Sequence, residues 1–147
     1  MIIMLMKVDP VNYREDIDRI SAEYGFVRED IVEVFPHTLE DFDYWIKRFA
    51  TEHHHPDSEV RFALSGKGYF EVRSQDDQWI RIEVVAGDFL ILPSGIFHRF
   101  VFHEEEKGIV FLRLFQDDAP YRIYFREKEA QAKAANTTTL KTATLVH

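Results

Sequence analysis

The sequence contains no cysteine and is short of positive charge. Without cysteine there can be no disulfide, no thiolate metal site and no cysteine nucleophile. Any metal site must therefore be built from His, Asp and Glu. The 18 Lys and Arg residues against 26 Asp and Glu give a net charge of -8. This balance argues against general binding to nucleic acids or anionic membranes, since both favour basic surfaces.

The opening apolar run, residues 1–6, is far too short to span a bilayer. It also lacks the basic region and the small-residue cleavage pattern of a secretory signal. Asp9 and Pro10 end the run, so it predicts an edge strand. We expect a cytoplasmic protein without membrane insertion, and entry into the nucleus is left open.

The chain has the length of one domain and the apolar content of a well-packed core. It has 147 residues, of which 46% are apolar and 13 are phenylalanine. We predict one helix over residues 10–24, ended by Gly25, and a second after Thr38, which approximates a capping box with Asp41. The second helix has apolar residues at helical spacing: Leu39, Phe42, Ile46 and Phe49. Residues 31–35 fit a strand or the end of a short helix.

From Glu59 onward, short apolar segments alternate with turn residues. Turns are predicted at 66–68, 74–78, 87–88, 93–95 and 104–108. The segments between and after them are strand-like: 69–73, 79–85, 89–92, 97–102 and 109–115. Closely spaced short strands predict an antiparallel sandwich or barrel, the jelly-roll type included.

Three consecutive histidines precede these strands. On an extended segment His53 and His55 point to one face, and Glu59 joins them if the strand stays regular. Two imidazoles and one carboxylate form the facial set of a non-haem iron site, with open coordination positions. A His-rich triplet is also often a solvated surface feature or an adventitious metal binder.

His98 is the fourth candidate ligand. It follows the turn at residues 93–95, which can reverse the chain so that His98 begins a strand beside the first ligand strand. Taken alone, His98 would more often be a core histidine with a satisfied hydrogen bond. The joint pattern favours a metal site.

These segments resemble the paired motifs of the cupin superfamily. The first motif is His53-x-His55-x3-Glu59-x6-Gly66, and the second is Gly87-x5-Pro93-x-Gly95-x2-His98. Phe102 stands where an Asn often follows in the family, and that Asn is not a metal ligand. The resemblance implies a mainly β fold, a cupin-type jelly-roll β-barrel with flanking N-terminal helices. It predicts a cupin domain over residues 1–126, including the N-terminal helical segment, and a flexible tail over 127–147.

A narrower resemblance, to the acireductone dioxygenases, extends over residues 39–126. Residues 52–61 follow the pattern E-H-x-H-x-D-x-E-x-R of that family. Further matches continue in the same order at residues 66–73, 79–82, 87–88, 92–93, 95–100 and 113–115.

The resemblance implies a reaction, a cofactor and a site. The substrates would be O2 and the acireductone 1,2-dihydroxy-3-keto-5-methylthiopentene of methionine salvage. One Fe2+ would give formate and 4-methylthio-2-oxobutanoate, whereas one Ni2+ would give formate, carbon monoxide and 3-methylthiopropanoate. The metal ligands would be His53, His55, Glu59 and His98, in a monomer.

Arg61 would stabilise the substrate anion, with Phe49 and Phe100 as walls of the site. Glu52, Asp57 and Arg99 are candidates to orient the ligands. Arg61 could instead form a structural salt bridge with a buried carboxylate, and the phenylalanines could simply be core. Two other functions stay open: a cupin oxygenase or isomerase acting on a different substrate, and a non-enzymatic cupin that binds metal structurally.

Overall fold

The computed structural model describes residues 2–103 and 105–128, and these form nine strands and two helices. In chain order they are β1 (Met4–Lys7), α1 (Arg14–Tyr24), β2 (Arg28–Val34), α2 (Phe42–Phe49), β3 (His53–His54), β4 (Glu59–Arg73), β5 (Trp79–Val85), β6 (Asp88–Leu92), β7 (His98–Val101), β8 (Gly108–Phe115) and β9 (Tyr124–Phe125). All pairings between these strands are antiparallel. No helix in the described part of the chain is long and apolar enough to cross a membrane.

The long strand β4 belongs to two layers. Its first half pairs with β6 on one side and β8 on the other, and β1 and β2 extend this layer outward. Its second half pairs with β5 and β7, and β3 and β9 continue that layer. Sharing one strand between two layers encloses an interior between them, as in a jelly-roll barrel.

Alternating side chains of β4 give the first layer two different faces. Val60 and Phe62 pack outward with Ile17 and Ile20 of α1, which covers this side of the layer. The opposite face contributes Ala63 to the interior core, together with residues of β6 and β8. The helix therefore leaves the interior face free to form a site.

The first helix begins at Arg14, so the predicted start at residue 10 was wrong. A carboxylate oxygen of Asp9 accepts hydrogen bonds from the backbone N–H groups of Val11 and Asn12, at 2.9 and 3.2 Å. This local turn competes with a helix over the same residues. The predicted end is confirmed, because Gly25 caps the helix in the left-handed region.

Two further local predictions were wrong. The capping box of Thr38 and Asp41 does not form, since α2 has no side-chain cap and Asp41 itself adopts a left-handed backbone. Residues 66–68 do not turn but continue β4. Gly66, at a φ of 82°, lies so close to the carbonyl of Gly108 on β8 that a Cβ would collide with it. Glycine here permits close strand contact instead of a reversal.

The remaining strand predictions agree with the structure. Residues 31–35, left open between strand and helix, fall largely within β2. The opening run forms β1, which pairs with β6. Most of the predicted tail, residues 129–147, lies outside the described residues.

Candidate metal centre

Three histidine side chains meet inside the barrel. His53 in β3 and His98 at the start of β7 are direct cross-strand partners. His55 follows β3, where its carbonyl accepts a 2.8 Å hydrogen bond from the backbone N–H of Gly95. Ring nitrogens of the three histidines lie within 4.8 Å of one another, and all three residues are buried. The structure thus brings together three of the predicted ligands.

Each of these rings is oriented by a backbone carbonyl. The Nδ1 atoms of His53, His55 and His98 lie 2.6, 2.7 and 2.9 Å from the carbonyl oxygens of Thr51, Arg122 and Ile96. A carbonyl can only accept a hydrogen bond, so Nδ1 must carry the hydrogen in all three rings. The Nε2 lone pair of each neutral ring is then available to a metal.

Glu59, the first residue of β4, completes a set of four candidate ligands. Its Oε2 faces Nε2 of both His98 and His55, the latter at 3.6 Å. The condition attached to this prediction, a regular strand from His53 to Glu59, is not met. Residues 55–58 leave the strand, so Glu59 and His53 lie on different strands and not on one regular strand.

The protonation states of the four side chains favour the binding of a cation. Burial lowers the pKa of His53 to about 4 and also lowers the pKa of His55, so both rings are neutral near pH 7. Burial opposes a charged His98, but Glu59 outweighs it and raises the pKa of that ring. Burial would likewise raise the pKa of Glu59, yet Arg61 and then His98 hold it well below its usual range. The carboxylate is therefore ionised.

Oε2 of Glu59 and Nε2 of His98 are buried against each other, and neither has another hydrogen-bond partner among the described residues. With the hydrogen of the neutral ring on Nδ1, both atoms are acceptors and cannot satisfy each other. Buried polar atoms are normally satisfied, and such orphans need an explanation. A divalent cation bound by three imidazole nitrogens and one carboxylate would supply it, and this donor set suits first-row metals such as iron and nickel. The residues present therefore fit a metal.

A cavity opens beside these residues. One part of its wall is apolar and formed by Val34, Phe49, Phe70, Phe100 and Phe111. The other part is polar and formed by His53, Glu59, Arg61, His98, Arg113 and Tyr121. Phe49 and Phe100 thus both line this cavity. A Cβ at Gly68 would overlap the ring of Phe100, so this glycine lets the ring lie against β4.

Arg61 is buried and touches both the cavity and the candidate ligands. Its Nη2 lies 2.9 Å from Oε1 of Glu59, and its Nη1 donates a 3.0 Å hydrogen bond to the carbonyl of Val60. The same side chain lines the cavity. Both interpretations of Arg61, as a partner of Glu59 and as a cation facing a ligand, are compatible with this position.

The residues expected to orient the ligands lie elsewhere. Glu52 pairs with Arg73 and Arg126, and Arg99 pairs with Glu71 on the outside of the barrel. Asp57 is exposed. Backbone carbonyls do the orienting, which no side-chain pattern can reveal.

Two polar residues of the cavity were not predicted, Arg113 and Tyr121. Arg113 interrupts the apolar run of β8, and this was a signal for an inward-facing charge. Its guanidinium pairs with Asp30 at 2.6 and 2.7 Å. Tyr121 lies in the loop between β8 and β9, where no periodicity marks it. Of the other histidines, His54 stacks on Tyr124 on the outer side.

Comparisons with known proteins agree with this site. The model of the ARD/ARD' family matches residues 2–121. The chain is 36% identical over 129 residues to acireductone dioxygenase 4 of Arabidopsis thaliana, covering 86% of this chain and 68% of that protein. It is 41% identical over 115 residues to acireductone dioxygenase 4 of Oryza sativa subsp. japonica, covering 78% and 62%. The chain thus spans about two thirds of the length of these relatives.

A solved structure is similar as well. An acireductone dioxygenase from Bacillus anthracis, with a cadmium ion in its active centre, superposes with a TM-score of 0.70 at 24% identity and 79% coverage of both chains. This likeness confirms the mainly β, cupin-type barrel. The match to the family over most of the chain and the identity to its curated relatives lead to one conclusion: the chain belongs to the ARD/ARD' family, that of the acireductone dioxygenases.

Proposed function

We propose that this chain is a metal-dependent dioxygenase that cleaves the acireductone 1,2-dihydroxy-3-keto-5-methylthiopentene with O2 in methionine salvage. The observation that carries the proposal is the meeting of three imidazole rings, each with its Nε2 lone pair free for a metal, and one ionised carboxylate beside a cavity. The curated relatives bear the name of this activity.

His53, His55, Glu59 and His98 would hold one Fe2+ or Ni2+ per chain. Once bound, the metal supplies a Lewis acid for the oxygens of the enediol. The interior position of the four side chains keeps bulk water away, and the carbonyls of Thr51, Arg122 and Ile96 hold the rings in their binding orientation.

Arg61 would stabilise the negative charge of the ionised enediol. It is a fixed cation on the cavity wall, and its bond to the main chain and its contact with Glu59 restrict its rotation. A guanidinium held in a water-poor cavity interacts more strongly with an anion than one in solvent does. Arg61 would therefore bind and orient the substrate from the side of the ligand carboxylate.

The apolar part of the cavity would receive the methylthioethyl tail of the substrate. Phe49 and Phe100 lie there with three other apolar residues. Thioethers pack favourably against aromatic rings, so this wall would select for the tail while the polar wall holds the enediol.

The product set depends on the metal. The same imidazole and carboxylate donors accept iron and nickel, so the ligand set alone does not choose between the two reactions. With iron, the products would be formate and 4-methylthio-2-oxobutanoate. With nickel, they would be formate, carbon monoxide and 3-methylthiopropanoate.

The test is metal analysis of the purified chain, followed by oxygen uptake with acireductone after separate reconstitution with Fe2+ and Ni2+. We expect one metal per chain and a product set that changes with the metal. Bound metal without turnover would move the function to another substrate or to structural metal binding. Absence of specific metal binding would remove the basis of the proposal. Size-exclusion chromatography of the same sample tests the expected monomer.

A further inference from the structure

Tyr121 places a hydroxyl directly beside a candidate ligand. Its oxygen lies 2.9 Å from Nε2 of His55, and its ring packs against the imidazole at a centroid distance of 4.5 Å. The residue exposes 43% of its surface. One part of the ring therefore faces solvent while the hydroxyl points to the interior.

The same ring lies at the boundary of two cavities. One is the cavity beside His53 and His98 described above, and the other is lined by His55. Glu59, Arg61 and Tyr121 are shared by both. The tyrosine therefore contributes to the walls of both cavities.

The nitrogen that accepts from Tyr121 is also the nitrogen that a metal would need. Nδ1 of His55 carries the hydrogen that goes to the carbonyl of Arg122, so Nε2 has the single free lone pair of the ring. That lone pair cannot accept from the phenol and bind a metal at once. In the metal-loaded protein the hydroxyl must turn to another acceptor.

The groups around Tyr121 limit which atom can accept the hydrogen bond from its hydroxyl. Arg61 offers only donors, and its guanidinium lies 5.9 Å from the centroid of the Tyr121 ring. Glu59 already directs Oε1 to Arg61 and Oε2 to the histidines. A second guanidinium, that of Arg113, lies 5.7 Å from the same ring. An anionic oxygen that enters the cavity would meet the hydroxyl and two cations together.

We propose that Tyr121 is a further substrate-binding residue, which donates a hydrogen bond to an oxygen of the ionised enediol when His55 binds the metal. The inference rests on the proposed function and adds a residue to it. The hydroxyl would act with Arg61 to fix which oxygens of the substrate face the ligands. It would also couple metal loading to substrate binding, because the metal releases the phenol from His55.

The experiment compares Tyr121→Phe with Tyr124→Phe, which removes the same atom from a tyrosine three residues away on β9. Affinity for Ni2+ is measured by titration of the metal-free proteins. Affinity for acireductone is then measured without oxygen on the nickel-loaded proteins, through the ultraviolet absorption of the enediol. Circular dichroism and the melting temperature verify that both variants fold.

We expect Tyr121→Phe to bind Ni2+ as tightly as the unchanged chain or somewhat more tightly, because the phenol no longer competes for Nε2 of His55. Its affinity for acireductone should fall by roughly 10- to 100-fold, the range for loss of one hydrogen bond to a charged group. Tyr124→Phe should match the unchanged chain in both measurements, since Tyr124 stacks on His54 outside the cavity.

Loss of Ni2+ in Tyr121→Phe would make the phenol a metal ligand and overturn the inference. Unchanged acireductone affinity in that variant would overturn it too, while leaving the proposed function intact. If the unchanged chain binds Ni2+ but not acireductone, the proposed function itself is wrong, and the inference falls with it.

Discussion

Two groups of side chains, both rich in charged residues, lie on the inner and the outer side of the barrel wall. The inner site consists of His53, His55, Glu59, Arg61 and His98. The outer ladder consists of Glu71, Arg73, Trp79, Arg81 and Arg99. Strand β4 contributes to both, and β7 directs His98 inward and the next residue, Arg99, outward. Both groups combine arginine with glutamate, but only the inner group contains histidine.

In the outer ladder, the charged groups pair with one another and two of them stack on the ring of Trp79. Arg73 and Arg99 stack on the ring of Trp79, at 3.8 and 4.0 Å from its centroid. Glu71 accepts hydrogen bonds from Nε of Arg99 and of Arg81, at 2.7 and 3.0 Å. In the inner site, Oε2 of Glu59 and Nε2 of His98 face each other as two acceptors, and neither has another partner among the described residues. Unsatisfied atoms, and not charge as such, distinguish the site that fits a ligand.

The largest expected effect is loss of the metal on changing a candidate ligand. His98→Ala should weaken metal binding by roughly 100-fold or more and abolish measurable turnover, because ligand-orienting changes alone cost 10- to 100-fold in other sites. Metal content after gel filtration is the measurement. His37→Ala, a change at an exposed histidine, is the control. A folded His98→Ala protein with full metal and activity would refute the ligand assignment.

Removal of the inner arginine should separate catalysis from metal binding. Arg61→Ala should keep stoichiometric metal but lose turnover by about 100-fold, the effect of removing one preorganised donor from an anion. Arg99→Ala removes the same group from the outer ladder and should leave turnover unchanged. Oxygen uptake and metal content are measured on both. Loss of metal in Arg61→Ala would instead favour the structural salt bridge with Glu59.

In the outer ladder we expect effects on stability alone. Trp79→Leu removes two guanidinium–ring contacts, each worth about 0.5 to 1 kcal/mol at exposed sites, so the free energy of unfolding should fall by roughly 1 to 2 kcal/mol. Urea denaturation measures this, and metal content should not change. A variant that loses metal would show that the two groups are coupled through β4.

The smallest effect should be a pH-dependent one at Glu71. Burial would raise the pKa of Glu71, but the hydrogen bonds from Arg99 and Arg81 outweigh it and lower that pKa. A carboxyl whose pKa is lower in the folded state stabilises the fold above its unfolded pKa, and this contribution disappears as the pH falls through the folded pKa. The unfolded value for Glu is about 4.3.

The chelator-treated chain should therefore be more stable than Glu71→Gln above about pH 5, by roughly 0.5 to 1 kcal/mol, since both arginines are partly exposed. The difference should shrink as the pH falls below 4, and high salt should reduce it as well. Urea denaturation from pH 3 to 7 gives the comparison. A difference that grows toward low pH would contradict the assigned direction.

The sequence predicted the meeting of the four candidate ligands but not the path of the chain between them. Residues 93–95 do turn the chain so that His98 begins β7 beside His53, as local turn chemistry indicates. Glu59 was predicted to join the histidines only if the strand stayed regular after His55. This condition is not met, and nothing local in the sequence shows where a short strand ends. Glycines 66 and 68 were taken for a turn, although their role is contact with Gly108 and Phe100, which only the folded chain brings near.

The cavity was less predictable than the ligands. Phe70 and Phe111 line it, yet their signal is the same as that of phenylalanines in the core. Tyr121 reaches His55 through a loop whose neighbouring residue, Arg122, accepts from the ring of that histidine. Contacts between residues 66 positions apart leave no periodic trace in the sequence.

The register shift in β4 changes which residues of the strand face the interior, so the number of residues in the strand matters. Before the shift, odd-numbered positions such as Glu59 and Arg61 face the interior. After it, even-numbered positions such as Phe70 and Val72 do so. The pairing passes from Ala63 to Ser65 against consecutive residues of β8, so Leu64 is the extra residue that changes the parity. Deleting this one residue would turn either the candidate ligand carboxylate or the aromatic wall toward the outside. The length of β4 is therefore as much a part of the active site as any of its side chains.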